Sequence, residues 1–243
     1  MLSSATFGLI PLFTLPVIKS GMHTPSIIFY RMLFSVAMLA VLIFIRRESF
    51  RISGKQLKTI FFLSIFYAAT SLLLVESYLY IPSGLATTIS FLYPIAVTLI
   101  LFFGFGQRVS ANTLVAILLS FAGVFLLSFK STSGSLDGRG LLCVIITVFT
   151  YSTYIVGMNK SCVNSLSSLV LSFYVLLFTT LFFTVNMSLQ GGLESIPGIN
   201  ELGSLLLLGF IPTVLSNIFL FLALKRIDLS LIHISEPTRQ AEI

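Results

Sequence analysis

Long apolar runs alternate with short polar separators along this chain. The runs fall at about 5–20, 26–45, 59–80, 83–105, 112–129, 141–158, 166–187 and 202–224. Each approaches the roughly 20 apolar residues that a helix needs to cross a bilayer. They are continuous and lack the period-2 alternation of barrel strands, so the pattern predicts helices rather than a β-barrel. The separators collect turn residues and charge, as in RRESFRISGKQLK at 46–58, KSTSGSLDGRG at 130–140 and NMSLQGGLESIPGINELG at 186–203. The expected fold is an all-α membrane protein, a helical bundle of about eight transmembrane helices.

Composition narrows the function classes. Of 243 residues, 56% are apolar and 9% charged, against roughly 25% charged in a soluble domain. Mean hydropathy is +1.06. A soluble enzyme, a disordered tail and a disulfide-rich secreted module are excluded. The net charge of +6 reads as loop bias, because no basic run is interleaved with aromatics as a nucleic-acid surface would be. With the amino terminus inside, the loops after runs two, four, six and eight hold Arg46, Arg47, Arg51, Lys55, Lys58, Arg108, Lys160, Lys225 and Arg226. The opposite loops hold only Lys19, Lys130 and Arg139. The positive-inside rule therefore predicts a multi-pass protein of the plasma or inner membrane with a cytoplasmic amino terminus.

Little enzyme chemistry is on offer. Asp137, Asp228 and His23 fall in loops, and there is no buried His/Asp cluster, nucleophile elbow or phosphate loop. Cys143 and Cys162 lack metal-ligand spacing, and Cys143 reads as a small packing residue. No cofactor or metal is expected.

Charged residues inside membrane spans are costly and mark function by default. Arg31 lies about five residues into run two, and Glu76 about five residues from the end of run three. At 1.5 Å per residue both sit roughly 8 Å below the same boundary. Equal depth on antiparallel helices permits an ion pair that binds or gates a charged solute, or leaves Glu76 to carry a coupling proton. The alternatives are a purely structural bridge, or an Arg31 that snorkels outward. Tyr67, Thr70 and Ser71 in run three, Tyr151 and Tyr154 in run six and Asn217 in run eight could line a polar pathway, or only hydrogen-bond between helices. The expected substrate-binding set is Arg31, Glu76, Tyr67, Ser71, Tyr154 and Asn217. Prolines at 11, 16, 94 and 212 are expected to kink their helices.

The chain also echoes itself. Phe29-Tyr30 recurs as Phe173-Tyr174, a shift of 144; Lys19 matches Lys160, a shift of 141; Ile81 matches Ile227, a shift of 146, a similar offset that brings Ser71 onto Asn217. Five helices per unit is an odd number, so the second unit enters the membrane from the opposite side, the inverted-repeat arrangement of secondary transporters. The first unit covers 1–130. The second covers 138–228 and holds only runs six to eight. From Leu229 to Arg239 the sequence LSLIHISEPTR looks like the translation of a sequencing-library adapter, so 229–243 is read as a non-native tail that cuts the second unit short.

The stretch at 77–128, SYLYIPSGLATTISFLYPIAVTLILFFGFGQRVSANTLVAILLSFAGVFLLS, resembles the EamA repeat of the drug/metabolite transporter superfamily. Its helix ends in a Tyr-Ile-Pro turn, a small-residue helix contains Leu92-Tyr93-Pro94, and a later helix ends at Gly123–Leu127. Pro25 followed by Arg31 resembles the family's second helix, and GRGLLCVIITVFTYSTYIVGMNK with ALKRI resembles the next copy. The resemblance implies ten helices in two inverted five-helix repeats, and export or exchange of small metabolites such as amino acids. Gly106-Gln107 departs from the family's Gly-Glu, so no role of that acid carries over. The expected function is a secondary transporter of a small, amino-acid-like metabolite working by alternating access, with the lipid bilayer, the metabolite and a coupling proton as partners. The competing reading is a non-transporting membrane scaffold or sensor partner.

Overall fold

A computed structural model of the chain describes residues 6–106, 115, 119, 137–163, 165–189 and 192–222. The fifth apolar run (Val115 and Leu119 apart), the junction between the two sequence units and the tail from 229 lie outside the described residues.

Among the described residues the protein is helical throughout. The helices are α1 (Ile10–Lys19), α2 (Thr24–Ile45), α3 (Gly54–Ser77), α4 (Ser83–Ser90), α5 (Tyr93–Phe105), α6 (Gly138–Lys160), α7 (Ser168–Leu189) and α8 (Ile199–Gly209). A π-helical segment, Phe210–Leu215, continues α8. Six spans are long and apolar enough to cross a membrane: Thr24–Ile45, Gly54–Ser77, Ser83–Phe105, Gly138–Lys160, Ser168–Ser188 and Ile199–Leu222. This is a multi-pass membrane protein. The expected count of about eight is not reproduced, since α1 is only 10 residues long and the fifth run is not described.

Local chemistry sets the helix ends. Before α2 the chain turns at Gly21, whose φ of +91° suits glycine. Pro25 then sits in the first turn, where its missing N–H costs nothing. Ser53 and Gln56 form a capping box that starts α3. Asp137 caps α6 by accepting from the Arg139 N–H at 2.8 Å. Pro94 lacks an N–H and clashes with the carbonyl of Ser90, so run four is interrupted at Phe91–Leu92 into α4 and α5 within one span. α5 ends at Gly106 in the left-handed region, φ +62°.

The helices pack as antiparallel partners. α3 and α6 touch along their length, from Gln56 Nε2 donating to the Cys162 carbonyl at 3.3 Å to the Thr70–Thr150 hydroxyl pair at 2.8 Å. Gly157 lets them close, since a Cβ there would stand 2.3 Å from Leu63 Cδ2. α2 and α7 are antiparallel too. Phe50, just past α2, stacks edge-on against Phe173 at 5.3 Å, while Thr24 and Asn186 share a cavity at the other end. α1 packs on α8, and α8 packs on α2.

These pairings map onto themselves when α1, α2 and α3 are exchanged with α6, α7 and α8. α3–α6 becomes α8–α1, α3–α7 becomes α8–α2, and α2–α7 is unchanged. Large apolar side chains such as Phe44, Phe62 and Phe103 are exposed around the outside, as expected where lipid tails are the solvent.

Candidate functional site

Arg31 is buried, with 2% of its surface exposed. It neither snorkels nor pairs with Glu76. Among the described residues the one ion pair is His23–Glu194, and the expected Arg31–Glu76 bridge is absent. The reason is azimuth: equal depth does not place two residues on facing sides. α2 packs chiefly on α7 and α8, whereas α3 packs chiefly on α6 and α7.

Arg31 instead donates from Nε to Thr213 Oγ1 at 2.7 Å. A proline explains this acceptor. Pro212 lacks the N–H that a regular helix would return to the Leu208 carbonyl, and the chain widens there into a π turn. The Thr213 hydroxyl donates to that carbonyl at 2.9 Å. With its proton committed, Oγ1 presents only lone pairs to Arg31. Ser35 Oγ lies 2.7 Å from the Arg31 carbonyl and 2.9 Å from that of Gly209, so its single proton is shared between the two acceptors. Gly209 permits this approach, because a Cβ there would lie 3.2 Å from the Arg31 carbonyl oxygen.

A belt of tyrosines occupies the same interior. Asn217 Nδ2 donates to the Tyr67 hydroxyl at 3.1 Å. The Tyr67 ring packs on Tyr154 at 5.1 Å, and Tyr154 stacks on Tyr151 at 6.0 Å. Tyr93 meets Tyr151 edge-on at 4.9 Å. The Tyr154 hydroxyl is fully buried and has no hydrogen-bond partner among the described residues. Tyr67, Tyr78 and Tyr151 lie within electrostatic reach of the Arg31 guanidinium. Ser71 is buried one turn beyond Tyr67 on α3. Five of the six expected residues therefore lie in this interior, namely Arg31, Tyr67, Ser71, Tyr154 and Asn217. Thr213 and Ser35 were missed. The available signal was the Pro-Thr step at 212–213, since a proline inside a helix frees a carbonyl that a neighbouring hydroxyl can reclaim.

Glu76 stands apart. It is half-buried and lines a cavity of about 520 Å³ with His23, Thr24, Leu72 and Asn186. The Asn186 amide oxygen is buried without a partner among the described residues.

Two tyrosines lock opposite ends of the bundle. The Tyr30 hydroxyl donates to the Glu194 carbonyl at 2.9 Å, and the Tyr174 hydroxyl to the Phe50 carbonyl at 2.8 Å. Both tyrosines and both acceptors are 144 positions apart. A second contact accompanies each. The His23 ring and backbone N–H bind the Glu194 carboxylate, and Ser167 binds Glu48. The His23 backbone N–H, followed by its ring, holds the Glu194 carboxyl below its usual range. Arg46, Arg47, Arg51, Lys55, Lys58 and Lys160 all gather at the Tyr174 end.

The EamA-like transporter family model matches residues 1–129 and again 138–236. A solved crystal structure superposes with a TM-score of 0.73 at 16% identity, covering 93% of this chain and 77% of the other; at that identity the likeness concerns the fold alone. No curated protein matches the chain.

Proposed function

The chain belongs to the EamA-like transporter family, and from that membership we propose a secondary transporter that exports or exchanges a small polar metabolite by alternating access. The two halves are read as inverted copies of a five-helix repeat, with α6–α8 answering α1–α3. The observation that carries this reading is the exchange relation among the helix contacts, together with the Tyr30 and Tyr174 locks it sends to opposite ends. Two-fold placement of antiparallel equivalents such as α2 and α7 supplies the same gate twice, once per membrane face.

The Lys/Arg-rich Tyr174 end is taken as cytoplasmic, which places the amino terminus inside. Both tyrosine bonds are formed in this structure, and on this reading they are the locks that hold the Arg31–tyrosine interior shut. Arg31, Tyr67, Ser71, Tyr154 and Asn217 hold the solute. Glu76, in its separate cavity at the Tyr30 end, carries the coupling proton. Opening Tyr30's lock while Tyr174's holds exposes the interior outward, and the reverse exposes it inward.

Proteoliposomes carrying the protein, loaded with a panel of labelled small metabolites, test this. With the second repeat completed to five helices, gradient-driven flux of at least one solute is expected, abolished by Arg31→Gln and stripped of its proton dependence by Glu76→Gln; the shortened chain of 243 residues is expected to give none. A scaffold or sensor partner would dissipate no gradient, and Arg31→Ala would alter only assembly. Unchanged pH dependence in Glu76→Gln would remove the proton role.

A further inference from the structure

We propose that the solute is an organic carboxylate anion without an ammonium group, anchored on the Nη edge of Arg31. This rests on the transporter reading and names the substrate class of that same interior. A guanidinium carries five N–H donors, and among the described residues its hydrogen bond is the one from Nε to Thr213. No acid among the described residues balances it, since the nearest candidate, Glu76, faces a different cavity. An uncompensated charge in a membrane interior is expensive, and the planar fork of arginine matches a carboxylate with two parallel hydrogen bonds.

The surroundings point the same way. The Tyr154 hydroxyl is buried without a partner among the described residues. Tyr67 accepts from Asn217 and keeps its own proton to donate. The interior is therefore rich in donors and holds no described carboxylate that could receive an ammonium. The rings of Tyr67, Tyr151 and Tyr154 pack on one another in this interior, an aromatic cluster that an unsaturated or aromatic body joins once the interior opens. The anchor also occurs once. At the positions equivalent to Arg31 and Thr213 stand Val175 and Tyr67, so the two-fold arrangement offers a single cation and takes one anion.

The chain has eight tyrosines and no tryptophan, so tyrosine fluorescence reports this belt directly. Three probes share one ring: 3-phenylpropionate, phenylalanine and phenethylamine. The purified protein in mild detergent, at constant chloride, should bind 3-phenylpropionate saturably and at least ten-fold more tightly than the other two. Arg31→Gln should weaken that binding by ten-fold or more, and Thr213→Val by several-fold through loss of guanidinium positioning. As a second readout, ligand-free Arg31→Met should melt no lower than the parent, because it removes an unbalanced charge; a purely structural arginine would lower the melting temperature. Preference for phenethylamine, or equal binding of phenylalanine, with Arg31→Gln still abolishing binding, overturns the anion class and leaves the transport site standing. Binding of none of the three, with Arg31→Met melting lower, overturns both.

Discussion

Thr213→Val is the most informative single change. Valine keeps the shape and removes one hydroxyl, which serves two partners: the Leu208 carbonyl at 2.9 Å and Arg31 Nε at 2.7 Å. A neutral intramolecular hydrogen bond nets about 1 kcal/mol and one to a charged group about 1.5–3. Polar contacts between membrane helices average lower, about 0.6 kcal/mol. Together the two bonds set a loss of about 2 kcal/mol, or roughly 4–8 °C in melting temperature for a chain of this length. Thr213→Ser keeps the hydroxyl and should lose no more than about 1 kcal/mol, the order of one buried methyl. Thermal unfolding in mild detergent, followed by helix ellipticity, separates them. In an Arg31→Met background the cost of Thr213→Val should fall to about 1 kcal/mol, since only the Leu208 bond remains. Equal shifts for valine and serine, or no coupling to Arg31, would refute the chain of causes from Pro212 through Thr213 to Arg31.

Other predictions follow from the same geometry. Gly209→Val should lower stability by about 1–3 kcal/mol and weaken Arg31-dependent binding, because a branched side chain there meets the α2 backbone rather than a mobile tip; denaturation and ligand titration report both. Tyr30→Phe and Tyr174→Phe each delete one hydrogen bond of about 1 kcal/mol at opposite ends. Each change should therefore lower the melting temperature by roughly 2–4 °C, read by thermal unfolding in mild detergent. The Glu194 carboxyl is depressed by His23, so its stabilising contact is fully present at neutral pH, above the usual carboxylate range. It is lost as pH falls through the lowered value. A melting-temperature series from pH 7 downward should show an acid limb that Glu194→Gln flattens.

The sequence carried the spans well where apolar character was continuous. Runs 26–45, 141–158 and 166–187 lie within three residues of α2, α6 and α7. α3 starts five residues before its run, because its first turn, GKQLK, is polar and is specified by the Ser53–Gln56 cap rather than by hydropathy. Pro94 was legible as a disturbance but not as an interruption between two helices. Within the site, residue identities were readable while partnerships were not. Asn217 and Tyr67 were both marked, yet only the fold shows that one donates to the other. Arg31 and Glu76 were set together by depth, a one-dimensional measure blind to which neighbour each helix face meets. Thr213 escaped notice because a lone threonine in an apolar run is ordinary until the carbonyl freed by Pro212 is traced.

The tyrosine bonds at the two ends have the same donor, the same kind of acceptor and nearly the same length. Under the proposed alternating-access cycle, bonds so alike give neither orientation a strong preference. Net direction in that cycle is imposed from outside, by the concentration or voltage difference across the bilayer. Only the imidazole–carboxylate neighbour on one side and the serine–carboxylate neighbour on the other tilt the resting balance, and acidity in the compartment bathing His23 bears on just one of them.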